Sequence, residues 1–297
     1  MAHAAELGRR ELRRPLWSVR PAVLLLLPAG LFLVVFFLVP YLNMVRMSFL
    51  TKAQGAAFTN VMTLENYLRV LGDAFYWRVI GRTFWLAGLA TVFTVLLGYP
   101  LAYAIARASG PRRPILLMLL LAPLLVGAVV RSYGWMILLG RVGLINQMLR
   151  ALGWREAELM YNTLGVLIGL VHVYLPFMVL AVAGALEQIQ ADVELAARSL
   201  GASPWRTFWR VTWPLSLPGV FSGGILVFVL ALSAYVIPIL LGGNNVLVMP
   251  MLVVQMLLDA FNWPLGSAMA MVLFGLACAV LWAYVKVMNR ALRWIPR

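Results

Sequence analysis

The sequence is short of charge, and of acid above all. Among 297 residues 11% are charged and ten are Asp or Glu, against roughly 25% charged in ordinary soluble domains. So few ions cannot cover a surface that lies wholly in water. Cysteine is represented by Cys278 alone, which excludes an intrachain disulfide and a thiol-rich metal site. Histidine occurs as His3 and His172, too few to hold a metal unaided, and no Ser, His and Asp grouping suggests a hydrolase, so a membrane enzyme has little support. The only lysines, Lys52 and Lys286, follow Thr and Val, and no Gly-x4-Gly-Lys-Ser/Thr exists. A phosphate-cradling P-loop is therefore missing, and any ATP hydrolysis must be done by another chain.

What is abundant is apolar: 63% of the residues are hydrophobic. Segments 21–42, 83–106, 114–139, 159–186, 217–241 and 264–286 are each near or above the ~20 residues that cross a bilayer, and predict six transmembrane helices. The turn formers Gly242-Gly243-Asn244-Asn245 end the fifth. Segment 246–258 spans about 20 Å as a helix, short of a ~30 Å hydrocarbon core, and reads as re-entrant or interfacial. Fifteen Lys and Arg lie on the 1–20 tail, the 107–114 loop, the 187–217 loop and the C-terminal tail, about twice the number on the opposite loops. Both termini, including 291–297, are thus expected in the cytoplasm. The net charge of +14 flanks the spans instead of forming one cluster, which reads as topology signal and anionic-lipid contact, with no nucleic acid as partner. The first apolar run is too long for a signal-peptide core and no small-residue cleavage site follows it, so it is expected to stay as a helix.

Between the spans, Leu64-Glu65-Asn66-Tyr67 predicts the start of a short helix on the membrane, and 140–158 a small outer cap. Arg107 to Arg113 forms a short Gly-Pro hairpin with three arginines. Small residues four apart, Gly165 with Gly169 and Gly219 with Gly223, predict close helix packing. Pro123, Pro176 and Pro238 predict bends within spans.

The most informative stretch is the 187–218 loop, because about 30 residues exceed what a hairpin needs. Asp192 can cap a first short helix, whose apolar positions Ile189, Val193, Ala196, Ala197 and Leu200 share one face. Gly201 stops it, and Ser203 caps a second helix with Pro204 at its first position. Trp205, Phe208, Trp209 and Thr212 line one side of that helix, and Pro214 and Pro218 are expected to end it. The flat side around Ala196, Ala197 and Gly201 suits a partner's groove, with Trp205 and Trp209 as anchors, although an amphipathic pair lying on lipid would share this pattern.

Leu195-Ala196-Ala197, three residues, Gly201, nine residues, then Val211-Thr212-Trp213-Pro214 resembles the cytoplasmic EAA loop, EAA-x3-G-x9-I-x-L-P, of bacterial ABC importer permeases. VVRSYGWMILLGRVGLINQ in the third span and SAYVIPILLGG in the fifth resemble the spermidine/putrescine-type permeases. Two positions depart: Leu195 stands where the motif has Glu, with Glu194 one place earlier, and Trp213 replaces the final Leu. The resemblance implies an all-α polytopic membrane protein of the type I importer permease kind, in a bacterial inner membrane. It implies that Glu194, Ala196, Ala197, Gly201, Ala202, Pro204, Trp205, Trp209 and Pro214 couple to a cytoplasmic ATPase. Two ATPase subunits carrying ATP and Mg, a second and different permease and an external solute-binding protein are the implied partners, with no cofactor on this chain. The implied solute is a polyamine or similar small amine, with an opine, an aminophosphonate or ferric iron as alternatives. An ion-coupled secondary transporter is disfavoured because no acid lies deep in a span.

Residues for the solute pathway come from interruptions of the apolar pattern. Arg131, followed by Tyr133 and Trp135, places a charge inside the third span, where it either lines a cavity or snorkels outward. His172 and Tyr174 interrupt the fourth span, and Tyr235 the fifth. Asp259, beside Asn262 and Trp263, offers a carboxylate and an indole face to an ammonium, or a cap to the last span.

Overall fold

The computed structural model describes residues 19–53 and 58–292 of the chain. Most of the basic N-terminal tail and residues 293–297 lie outside the described residues. Six helices are long and apolar enough to cross a membrane. They are α1 (Leu25–Ser48), α3 (Ala74–Ala106), α5 with α6 (Ala128–Ala151), α7 (Thr163–Glu187), α9 (Pro204–Leu232) and α12 (Trp263–Arg290). Between α1 and α3 a two-stranded antiparallel hairpin, β1 (Leu50–Thr51) and β2 (Thr59–Met62), precedes α2 (Glu65–Gly72), the short helix expected near residue 64.

Local chemistry sets the helix ends. Asp73 accepts the Phe75 N–H at 2.7 Å and starts α3 nine residues before the expected 83. At 33 residues α3 is about 50 Å long, so its first turns, with Arg78 and Arg82, stand outside a ~30 Å core. Asn162 caps α7 through the Gly165 N–H, and Asn262 caps α12 through the Leu265 N–H.

Three expected boundaries need correction. Residues 114–139 are not one continuous span: α4 (Arg112–Leu121) passes into a tight turn at Ala122–Leu125, Val126 is extended, and a new helix begins after Gly127. Pro123 cannot donate to the helical ladder and Gly127 carries no side chain, so continuation is weakly supported there. Nor is 217–241 one span, because α9 stops at Leu232, 233–235 form a break, and helix resumes before α10 (Pro238–Asn245). Pro238 lacks an N–H and crowds the carbonyl four residues back, at Ala234. The third correction concerns Pro214 and Pro218, which do not end the second loop helix. A widened turn at Phe208–Thr212, closed by the Trp213 N–H on the Phe208 carbonyl, absorbs Pro214, and α9 runs from Pro204 into the membrane.

The core is the packing of α3, α7 and α9 against one another. Its close approaches use glycine: Gly219 lies where a Cβ would come within 2.4 Å of the Ala185 Cβ, and at Gly223 within 2.8 Å of the Met178 sulfur. Gly169 likewise faces Leu241 and Ile237, so the small-residue pairs are packing features. By contrast, α1 exposes Leu25, Leu31 and Phe36 and meets the bundle through its last turns, Tyr41 lying beside Phe274.

Segment 246–258 becomes α11 (Met249–Asp259), which meets α10 at 88°. The pair is tied to the bundle at its turn. Arg82 donates to the Asn245 carbonyl at 3.0 Å, the Asn245 side-chain amide to the Tyr161 carbonyl at 3.1 Å, and the Met249 N–H to Thr83 Oγ1 at 2.9 Å.

Candidate functional site

The loop between α7 and α9 is built by its caps. Helix α8 (Ala191–Ser199) ends with Gly201 at φ +85°, the Gly201 N–H on the Arg198 carbonyl at 2.9 Å and the Ala202 N–H on the Ala197 carbonyl at 3.1 Å. This paired closure needs a left-handed residue, which glycine adopts without a Cβ penalty. A Cβ at Gly201 would touch nothing within 4 Å, so backbone conformation, not space, requires glycine. Ser203 Oγ then accepts the Arg206 N–H at 3.3 Å and starts α9 at Pro204. The expected cap at Asp192 is not formed: Gln190 occupies the cap and Asp192 lies in the first turn, where an acid favours the helix dipole.

The face of α8 expected to suit a partner's groove, with Ala196 and Gly201, is turned outward. Ile189, just before the helix, is buried, but Val193, Ala196 and Leu200 face outward, Leu200 being 90% exposed. The residue turned inward is Glu194, 8% exposed. Its Oε1 accepts from Arg107 Nη2 at 2.6 Å and from Thr212 Oγ1 at 2.9 Å, joining the end of α3, α8 and the start of α9 in one ion-paired group. Arg107 also donates to the Ile189 carbonyl at 3.4 Å. Removing one member of such a shielded pair strands the other charge, at a cost of about 3–5 kcal/mol when burial is complete and less here, where Arg107 retains some exposure. A second pair, Arg113 with Glu187 at 2.6 Å, pins the α3–α4 hairpin to the end of α7.

Beside this group runs an aromatic chain. Tyr99, hydrogen-bonded to Ser216 at 2.8 Å, meets Trp213 and Phe208, which lead to Trp209 and Trp205. Trp205 is 71% exposed, Trp209 and Pro204 are exposed beside it, and Pro214 and Ala202 are half-buried. The loop is therefore fastened inside by charge and faces outward with Leu195, Ala196, Leu200 and Trp205. Sequence reasoning missed Arg107 as the partner of Glu194; its only signal was a lone arginine at the end of an apolar span.

In the membrane, Arg131, Trp135, His172 and Tyr174 come together where α5 begins beside the middle of α7. Trp135 Nε1–H donates to His172 Nδ1 at 3.1 Å, with the rings 5.3 Å apart and edge to face. A neutral His172 accepting at Nδ1 carries its proton on Nε2. The Tyr174 hydroxyl donates to the Leu230 carbonyl at 3.0 Å, in the last turn of α9 before the 233–235 break. Arg131 Nε and Nη1 are buried and have no hydrogen-bond partner among the described residues. Tyr235 packs in the same apolar cluster as Trp135 and Tyr174. Tyr133 faces outward instead, and Asp259 and Trp263 sit at the α11–α12 corner, where Asn262 and not Asp259 forms the cap. His172 borders two apolar cavities of 360 and 310 Å³, the first lined by Phe93, Leu97, Trp135 and Leu167, the second by Leu101, Leu116 and Pro176. A larger cavity, 580 Å³, lies near Arg141, Glu158, Tyr161 and Asn245.

Residues 94–294, from the middle of α3 to beyond α12, match the family described as binding-protein-dependent transport system inner membrane component. The chain belongs to that family. It is 34% identical over 263 residues, 87% of its length, to the spermidine/putrescine transport system permease protein PotB of Haemophilus influenzae, covering 92% of that protein. Against the protein of the same name from Escherichia coli the identity is also 34%, with 95% of that protein covered. Among solved structures it resembles a chain of a bacterial alginate ABC transporter in complex with alginate pentasaccharide-bound periplasmic protein, with a TM-score of 0.75, 16% identity, and coverage of 93% of this chain and 98% of that one. That likeness carries the fold, an all-α bundle with six helices long and apolar enough to cross a membrane.

Proposed function

We propose that this chain is the permease subunit of an ATP-binding-cassette importer for a polyamine, spermidine or putrescine, or a similar small amine. The observation that carries the reading is the 34% identity, sustained over 87% of the chain, to permease proteins named for spermidine/putrescine transport. The 187–218 loop is its contact with a cytoplasmic ATPase, two copies of which bind and hydrolyse ATP with Mg. The chain itself is non-catalytic and holds no cofactor. A second permease, a different chain, completes the pathway, and an external solute-binding protein delivers the solute. Both termini face the cytoplasm, in agreement with the basic flanks of the spans.

In this reading Arg131, Trp135, His172, Tyr174 and Tyr235 line the pathway at the two helix breaks, 126–127 and 233–235. Irregular backbone at membrane depth is tolerated where it borders protein or a water-filled path, which is why a pathway is assigned there. The last carbonyls of α9 carry the negative end of the helix dipole and suit a passing ammonium. The test is uptake of radiolabelled spermidine and putrescine into proteoliposomes holding the complete complex. ATP- and binding-protein-dependent accumulation supports the proposal. No accumulation of either amine, with uptake of a different small solute, rejects the substrate and leaves the permease role standing.

A further inference from the structure

The loop departs from its family motif at Leu195 and Trp213, and the structure says what the exchange at Leu195 does. The motif's acidic position is occupied by Leu195, which is 57% exposed on α8. The acid one place earlier, Glu194, is turned inward, and its Oε1 accepts from both Arg107 and Thr212. A shift of one residue rotates a side chain by about 100° around a helix, enough to exchange an outward for an inward direction. The outward surface therefore offers Leu195, Ala196 and Leu200 beside the exposed Trp205, bordered by Arg198 and Arg206, with Asp192 the acid left exposed on α8. An aliphatic side chain gains affinity by leaving water for an apolar wall, whereas opposite a basic group it would leave a desolvated charge unpaired.

We infer that the ATPase serving this chain meets Leu195 with an apolar groove wall rimmed by acid, not with a basic group, and that Glu194 positions the loop on α3 without touching the ATPase. The inference rests on the reading of this loop as the ATPase contact. Because Glu194 acts through Arg107, its loss should damage coupling more than binding. The acidic rim follows from Arg198 and Arg206, whose exposed charges contribute little beyond orientation.

The experiment measures the dissociation constant of the partner ATPase for the full-length permease in detergent, followed by ATP hydrolysis and solute uptake by the reconstituted complex. Leu195→Glu, which restores the motif at an exposed position, is expected to weaken binding at least about tenfold. Glu194→Gln is expected to bind within about twofold of the parent while uptake per ATP hydrolysed falls, and Arg107→Gln combined with Glu194→Gln to recover part of that ratio, since no charge is then stranded. Leu195→Glu binding as tightly as the parent would overturn the apolar wall. A tenfold loss of binding in Glu194→Gln, or a double variant no better than the single one, would overturn the positioning role. If the parent chain forms no complex with the ATPase at all, the coupling assignment itself fails, and the inference with it.

Discussion

The 187–218 loop and the polar group in the membrane treat charge in opposite ways. In the loop Glu194 is inside and paired, while apolar side chains are left outside. Within the bundle the surroundings are apolar, and the charge, Arg131, has two buried nitrogens without a partner among the described residues. The loop's pairing is not complete, since Arg107 Nε is buried without a partner among the described residues, but its ion pair holds Glu194 inside and leaves an apolar face outside. Around Arg131 no such ion pair forms among the described residues.

The largest way to break this contrast is at the hinge of the loop. Gly201→Trp forces a bulky residue into φ +85° and should reduce ATP-driven uptake about 100-fold or more while the protein still inserts, since strain of about 1–3 kcal/mol at one exposed turn does not unfold a membrane bundle. Quantitative membrane blots beside uptake assays separate the two effects. Next comes the close α7–α9 contact, through which the proposed coupling would reach the membrane. Gly219→Leu drives side-chain atoms against Ala181 and Ala185 and should lower the thermal stability of the purified protein, overpacking costing about 1–3 kcal/mol or more. An unchanged melting temperature would show that these helices do not pack as described.

Arg131→Ala removes the unpaired cation and should alter uptake rate or solute preference while binding to the ATPase stays constant. Parallel loss of binding would make Arg131 a structural residue and erase the contrast. The smallest effect is expected from Trp135→Phe, which keeps an aromatic ring, though a smaller one, and deletes the bond to His172, worth about 0.5–1.5 kcal/mol. A shift in the histidine ring resonances with uptake near normal would fit a positioning role for the indole.

Much of this was legible in the sequence, and the parts that were not share a cause. The stop at Gly201, the cap at Ser203, the apolar spans and the short 246–258 segment are local signals, and each reappears in the structure. The direction in which α8 faces is not local. Spacing groups Val193, Ala196 and Leu200 on one side, but the pull of Arg107 and Thr212 on Glu194 decides that this side turns outward. The breaks at 126–127 and 233–235 were hidden because hydropathy stays high across them, so only Pro123 and Pro238 hinted at a stop. Likewise the prolines at 214 and 218 signalled an end that the widened turn at Phe208–Thr212 removed. In the membrane, Trp135, His172 and Tyr174 were found singly as interruptions; their meeting with Arg131 depends on how α5 and α7 pack.

The central claim is that the 187–218 loop transmits ATP hydrolysis on a partner to this membrane bundle. Its most direct test is ATP-dependent uptake by proteoliposomes containing the complete complex, with the parent chain or with Gly201→Trp. The account predicts uptake that requires ATP in the parent, and an assembled but transport-silent complex in the variant. Equal uptake by the two, or uptake by the parent without the ATPase, would contradict it.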